Sequence, residues 1–269
     1  MVQLAKALDA ETKQALRGRE AAKRASQPIR EQLLGKPTGK ARSAVVRPTK
    51  ALDESSARTS VTLPEAVPEE RRLFLGSTGA IVSPPLHYQW TWDSRSGSPR
   101  TVTVSADRLA GSMAFNLWTG GRDAAAWGRA AVGIYFRPIT ANGILRVRSN
   151  PAINANWWTA SAFADAHSDG FVGLYVGRYT LAGGPDGVPI SQQLRLWSDS
   201  TWWSGSSGTV STTGYPLNAE FAVDSAHWYA LWVWCGGHVS GDGEGWAYYG
   251  SGGANLSARV PSIAWELFG

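Results

Sequence analysis

Cysteine is almost absent, with one residue in 269. That scarcity excludes a disulfide framework and a zinc or iron–sulfur site built from several cysteines. No apolar run approaches the roughly 18 residues of a membrane-spanning helix, which excludes an integral membrane protein of the helical kind. The first 30 residues contain charges throughout and lack the apolar core of a Sec signal peptide. We therefore expect a cytoplasmic protein, or one released by a route other than Sec.

Lysine is missing after Lys50, and tryptophan is missing before Trp90. Residues 1–72 contain 15 Lys and Arg against 9 Asp and Glu, a net charge of +6. Residues 73–269 contain 11 Arg against 12 Asp and Glu, a net charge of −1. The basic character therefore belongs to an N-terminal segment, and all 14 tryptophans belong to the segment that follows it. Since 43% of the residues are hydrophobic, the chain has enough apolar material for a core, which excludes global disorder.

The N-terminal segment divides into a predicted arm and a predicted linker. Residues 1–34 form a basic arm in which strong helix formers over 3–25 predict a helix with a thin apolar stripe. A second short helix is predicted over 27–34, before Gly35. Residues 35–72 contain four prolines and few apolar residues, which is typical of an extended, partly disordered linker.

The arm is expected to dock the protein onto a partner or to make it a homo-oligomer. Binding of nucleic acid through residues 1–50 is a weaker interpretation, because acidic residues interrupt the basic ones and this stretch has no aromatic side chain to stack on a base. A solvated tail or a weakly dimerising helix is the interpretation that the charge pattern alone favours first, because runs of charge are usually solvated.

Residues 73–269 alternate short apolar segments with turn residues, and helical periodicity is nearly absent. About a dozen short strands in about 200 residues predict a mainly β fold, a β-sandwich of jelly-roll type. The clearest predicted strands are residues 86–92, 100–105, 131–137, 143–148, 170–181, 192–197, 219–224, 227–235, 245–249, 255–260 and 263–268.

Two of these segments have informative patterns. Both faces of 227–235 are apolar, so this strand is predicted to be central and covered on both sides, with Cys235 as a small buried hydrophobe. In 170–181, Val172, Leu174 and Val176 are expected to point to the core. The opposite face alternates aromatic residues with glycines. That face is either a platform for a sugar ring or a case of aromatic side chains from neighbouring strands covering the glycines.

Two similar tryptophan pairs, Trp157–Trp158 and Trp202–Trp203, are predicted to lie on loops with at least one ring of each pair exposed. Exposed aromatic rings stack on the apolar face of a sugar, and nearby polar side chains bond its hydroxyls. The predicted ligand-binding residues are Trp157, Trp158, Trp202, Trp203, Tyr175, Tyr179, Asn156, Asp199 and Trp246.

Evidence for catalysis or for a metal is weaker. Glu220 and Glu266 are the acids that a glycoside hydrolase would use, but nothing in the sequence pairs them. The stretch 165–170 resembles the start of a calcium loop, with His167 at a position that disfavours calcium. The four histidines show no paired ligand spacing, so we expect no metal. No Gly-x-Ser-x-Gly motif occurs and nothing marks a Ser–His–Asp constellation, so we expect no catalytic residues, and we expect no cofactor.

The composition therefore favours a non-enzymatic binding protein whose β-sandwich presents Trp and Tyr to a glycan or a similar surface ligand. The first alternative is a structural protein whose aromatic surface is a subunit interface. A basic arm joined to a jelly-roll domain resembles the plan of small icosahedral coat proteins. A membrane-active toxin is a lesser alternative.

Overall fold

The computed structural model describes residues 79–97, 100–120, 123–139, 141–243 and 249–268, and the backbone of two short strands at 58–60 and 73–75. All of these residues belong to one unit, Ser56–Gly269. The predicted arm lies outside the described residues, as does the predicted linker apart from the strand at 58–60, so both remain predictions.

The described residues form sixteen β-strands and no helix. This confirms the prediction of an all-β domain, and no described segment could cross a membrane as a helix. The strands are β1 Arg58–Ser60, β2 Leu73–Leu75, β3 Ala80–Val82, β4 Tyr88–Ser96, β5 Arg100–Asp107, β6 Ser112–Thr119, β7 Ala124–Pro138, β8 Gly143–Ser149, β9 Ala152–Ala162, β10 Ala166–Thr180, β11 Pro185–Thr201, β12 Gly205–Thr212, β13 Leu217–Val223, β14 His227–Gly241, β15 Tyr249–Arg259 and β16 Ile263–Phe268.

These strands form three sheets. A large sheet has the order β1-β4-β7-β14-β10-β11, with β2 paired to β7. A five-stranded sheet has the order β12-β9-β15-β6-β5, and a four-stranded sheet has the order β13-β8-β16-β3. All strand pairs are antiparallel except β2 with β7.

The hydrophobic core lies between the large sheet and the two smaller ones. The five-stranded sheet contributes Phe115 and Leu256 to it, and the four-stranded sheet contributes Leu145 and Ile263. The large sheet contributes alternate residues of its central strands, namely Val132, Ile134, Val172, Leu174, Val176, Leu231 and Val233. Two sheets therefore pack on one face of a third, an arrangement consistent with a β-sandwich.

The opposite face of the large sheet is also apolar and buried. Trp232 and Trp234 of β14 are 4% and 8% exposed, and Trp90 and Trp92 of β4 are 4% and 2% exposed. Every residue of β14 from Tyr229 onward is buried, which confirms the prediction of a central strand covered on both sides. Cys235 is fully buried, as expected.

Most observed strands are longer than the predicted ones, and six were not anticipated, namely the short strands β1, β2 and β3 together with β6, β9 and β12. β6, β9 and β12 lack strong sequence signals for a strand. The clearest case is β12, which consists almost wholly of Gly, Ser and Thr. Pairing of all eight β12 residues with β9 overrides this weak propensity. The predicted strand at 245–249 falls outside the described residues except for Tyr249, where β15 begins.

Five connections join the large sheet to the five-stranded sheet, at residues 97–99, 120–123, 163–165, 202–204 and 242–248. The strand register places the ends that they join side by side. Ser96 pairs with Ala125 and Ala124 with Gly241, while Ala166 pairs with both Gly241 and Thr201. We call this end of the sandwich the crossover end.

Candidate functional site

Among the tryptophans that the structure describes, the two most exposed lie together on a tight turn at the crossover end. Trp202 and Trp203 are 50% and 56% exposed and occupy the connection between β11 and β12. Ser204 N donates a hydrogen bond to Thr201 Oγ1 (3.2 Å), and Thr201 Oγ1 donates to Ser204 O (3.0 Å). Ser161 N of β9 also donates to Ser204 O (3.0 Å). These bonds hold the turn in place against the neighbouring strand.

Phe163, in the connection between β9 and β10, packs against this turn. Its ring centroid lies 4.0 Å from that of Trp203. Phe163 has φ = 54°, and the other described non-glycine residue with positive φ is Asp123, also at the crossover end. Such a backbone is costly for a bulky side chain and often marks functional loops. The structure therefore concentrates exposed aromatic surface and unusual backbone at one end.

Polar residues lie in or next to the connections at the crossover end. Thr159 Oγ1 donates to Asp199 Oδ2 (3.3 Å), which fixes the carboxylate two residues before Thr201. Asp242 N donates to Asp165 O (2.8 Å), linking two of the crossover connections. Tyr249, 40% exposed, pairs with Ala162 directly before Phe163. The crossover end therefore contains exposed aromatic rings as well as carboxylate-bearing residues.

The first tryptophan pair does not lie on a loop, which corrects the prediction. Trp157 and Trp158 are consecutive residues of β9 and point to opposite faces of the five-stranded sheet. Trp157 stacks on Trp197 with ring centroids 4.9 Å apart and packs against the core. The ring of Trp158 covers Gly253, where an added Cβ would lie 2.3 Å from its Nε1. Trp157 therefore packs within the sandwich, whereas Trp158 lies half-buried on the outer face of the five-stranded sheet, where its ring covers Gly253.

Tyr175 and Tyr179 point away from the core, as predicted, but the space beside them is filled. An added Cβ at Gly173 would lie 2.7 Å from Trp234 Nε1, and one at Gly177 would lie 3.0 Å from the Tyr179 ring. Burial, and to a smaller extent the charge of Tyr179, raises the pKa of Tyr175 to about 12. Aromatic cover of glycines therefore describes this strand better than an open sugar platform.

Two further predicted residues lie apart from the aromatic turn or outside the description. Asn156 is exposed on β9, where it pairs with Thr209 and Asn255 in the five-stranded sheet. Trp246 falls outside the described residues and remains a prediction. Of the predicted set, the structure thus places Trp202 and Trp203 on a turn at the crossover end and Asp199 near the end of β11 that leads into this turn.

A second cluster near this end contains His167, Asp169 and His238. One nitrogen or oxygen ligand atom from each lies within 4.8 Å of those of the other two. His167 Nε2 and Asp169 Oδ2 are 2.5 Å apart, and the His238 ring stacks on Trp127 at 4.6 Å. Burial acts to raise the pKa of Asp169, but the hydrogen bond and charge of His167 outweigh it and lower that pKa. The spacing of the histidines along the chain does not predict this cluster, because His238 joins it only through the pairing of β14 with β10.

Glu220 and Glu266 lie on the outer face of the four-stranded sheet, with Arg146 between them. Arg146 Nε lies 2.5 Å from Glu220 Oε1, and Arg146 Nη1 lies 3.6 Å from Glu266 Oε2. Both carboxylates are about half exposed and engaged by the same guanidinium. They therefore form a surface ion-pair network.

Comparisons with known proteins give partial likenesses only. No protein-family model matches the chain, and no curated protein does. The enzymatically active domain of bacteriophage CBA120 tailspike protein 4 is 15% identical with a TM-score of 0.21, and the match covers 66% of this chain and 19% of that one.

Two carbohydrate-binding modules also show partial likeness. TmCBM61, in complex with β-1,4-galactotriose, is 13% identical with a TM-score of 0.15, and the match covers 64% of this chain and 88% of that one. A family 11 carbohydrate-binding module from Clostridium thermocellum is 7% identical with a TM-score of 0.18, and the match covers 69% of this chain and 97% of that one. Since these TM-scores are low, none of the likenesses carries an argument about this chain.

Proposed function

We propose that this chain is a non-enzymatic glycan-binding protein, and that Trp202 and Trp203 at the crossover end contact the sugar. The observation that supports the proposal is a pair of adjacent, half-exposed indole rings on a turn held by hydrogen bonds. A finer part of the proposal is that the sandwich is of jelly-roll type and that residues 1–34 dock or oligomerise it.

The physical basis is the amphipathic nature of both partners. A pyranose ring has an apolar face that stacks on an indole and hydroxyl groups that bond to carboxylates at its edge. The turn is already ordered by Thr201, Ser204 and Ser161, so little conformational freedom is lost when a sugar binds. Contact between Phe163 and Trp203 restricts the second ring further.

The experiment is a glycan-array assay on the full chain, followed by titration of the best sugar with tryptophan fluorescence as the signal. We expect Trp202→Ala and Trp203→Ala each to weaken binding about tenfold or more, the loss of one aromatic stacking contact. Both side chains are half exposed, so thermal unfolding of the variants should change little.

The matched control is Leu181→Ala. Leu181 is also exposed (53%) but lies in the turn after β10, at the opposite end of that strand. Its variant should bind like the parent protein. The proposal is wrong if the folded full chain retains no glycan, or if all three variants bind equally well.

A second candidate function is assembly with further copies of this chain. Phe268 and Ile144 pair across the outer face of the four-stranded sheet and are 47% and 45% exposed. Exposed apolar side chains that lie side by side can become buried when two copies associate through this face. Light scattering of the full chain should then show large particles that Phe268→Glu disperses, whereas a monodisperse monomer would contradict this candidate.

A further inference from the structure

We propose that His167, Asp169 and His238 form a binding site for a divalent transition-metal ion of the Zn²⁺ class. The inference goes beyond sugar binding, since it uses neither Trp202 nor Trp203. It rests on where three side chains of suitable chemistry meet on the large sheet.

Strand geometry brings these three side chains to one face. His167 and Asp169 are two residues apart on β10, so they point to the same side of the sheet. His238 of β14 is the direct partner of Asp169 in the antiparallel register. Directly opposed residues in such a pair have Cβ atoms about 5 Å apart. The backbone therefore holds the three donors together.

The donor set selects a class of ion. Two imidazole nitrogens and one carboxylate oxygen suit Zn²⁺, Co²⁺, Ni²⁺ or Cu²⁺, whereas Ca²⁺ and Mg²⁺ prefer oxygen ligands. Ligand bonds of about 2.1 Å place two ligands of a tetrahedral ion about 3.4 Å apart. The three ligand atoms lie within 4.8 Å of one another, and His167 Nε2 and Asp169 Oδ2 lie 2.5 Å apart. Changes of about 1 to 1.5 Å in these separations therefore bring the three donors to the spacing of a bound ion.

The surroundings favour a bound cation. Asp169 Oδ1 is buried and accepts no hydrogen bond among the described residues, so a second carboxylate oxygen is available inside the cluster. The side chains of His167 and Asp169 are 31% and 14% exposed, which leaves a path for an ion while limiting screening by water. Trp127 stacks on the His238 ring and restricts its orientation, as the outer shell of a metal site commonly does.

The test is direct titration of the metal-free full chain with Zn²⁺ by calorimetry, together with the visible absorption of added Co²⁺. We expect one saturable site per chain and a Co²⁺ spectrum typical of four or five ligands with nitrogen donors. His167→Ala and Asp169→Asn should each weaken Zn²⁺ affinity by about tenfold or more. Ca²⁺ should not compete.

His227→Ala is the matched control. His227 also contacts carboxylates, with Nδ1 2.6 Å from Asp224 Oδ1, but it lies at the other end of β14. This variant should bind Zn²⁺ like the parent protein. Circular dichroism and thermal unfolding of each variant identify any that fails to fold, and His167→Ala, the most exposed of the three positions, then decides the outcome.

Two outcomes would overturn the proposal. One is the absence of saturable Zn²⁺ binding to the folded parent chain at micromolar concentrations. The other is equal Zn²⁺ affinity in the parent protein, His167→Ala and Asp169→Asn. Because the assay involves no sugar, a failure here is distinct from a failure of glycan binding.

Discussion

At the residue scale, Cys235 shows how burial controls chemistry. Burial raises the pKa of its thiol to about 12, so the reactive thiolate is nearly absent at neutral pH. We expect a thiol reagent such as Ellman's reagent to leave the native protein unmodified and to react with one thiol per chain after unfolding in guanidinium. Rapid modification of the native protein, with unchanged circular dichroism, would contradict this.

Asp224 provides a pH-dependent test at the same scale. Burial acts to raise its pKa, but hydrogen bonds from His227 and from the backbone N–H of Ala226 outweigh it and lower the pKa below its ordinary value. The carboxylate therefore stabilises the fold above its ordinary pKa, and this contribution is lost as the pH falls through the lowered folded-state value.

Asp224→Asn should accordingly reduce the free energy of unfolding by about 1 kcal/mol at neutral pH, because the charge-assisted bond to His227 is lost while an acceptor for Ala226 remains. The difference should shrink when both proteins are unfolded with urea near pH 3. If the loss of unfolding free energy caused by Asp224→Asn is larger in acid than at neutral pH, the ionised carboxylate of Asp224 does not stabilise the fold.

At the element scale, β10 shows why a strand needs glycine where a neighbouring ring covers it. A Cβ at Gly173 would lie 1.9 Å from Gln192 O and 2.7 Å from Trp234 Nε1, so backbone and ring must both move. Gly173→Ala should lower the free energy of unfolding by about 2 to 3 kcal/mol. Chemical denaturation measures the change.

The control for this prediction is Gly184→Ala, in the turn after β10. An added Cβ there would meet no atom closer than Thr180 Oγ1 at 3.4 Å. Its effect on the free energy of unfolding should stay within about 0.5 kcal/mol. If the two substitutions change the free energy of unfolding equally, close contact with Gln192 O and the Trp234 ring does not explain why position 173 is glycine.

Prediction from sequence succeeds or fails at this scale for identifiable reasons. Val172, Leu174 and Val176 alternate with aromatic residues and glycines, so periodicity alone assigned the core face of β10 correctly. The prediction that Trp157 and Trp158 lie on a loop is wrong. They lie in β9, where strand pairing with β12 and β15 outweighs local sequence preference.

At the scale of the whole molecule, the large sheet should be the most persistent part of the fold. β7 and β14 lie in its middle, and every residue of β14 from Tyr229 to Gly241 is buried. β5 and β12 are the edges of the five-stranded sheet, where every second residue or more is exposed. Local opening therefore requires less free energy at those edges than in the centre of the large sheet.

Hydrogen exchange followed by mass spectrometry tests this expectation. Amides of β7 and β14 should exchange slowest, at rates set by global unfolding, and those of β5 and β12 should exchange many times faster. Exchange in β14 that is as fast as in β12 would show that the buried tryptophan face does not stabilise the centre of the sheet.

By itself, the sequence determined the composition of the two segments, the all-β class of the domain, the central place of 227–235 and the burial of Cys235. These follow from local patterns, because alternation and turn residues act over a few positions. Only the tertiary structure decided which tryptophans are exposed, and it brought His238 to Asp169 across 69 positions of the chain. Such neighbours depend on strand order and register, which no local pattern contains.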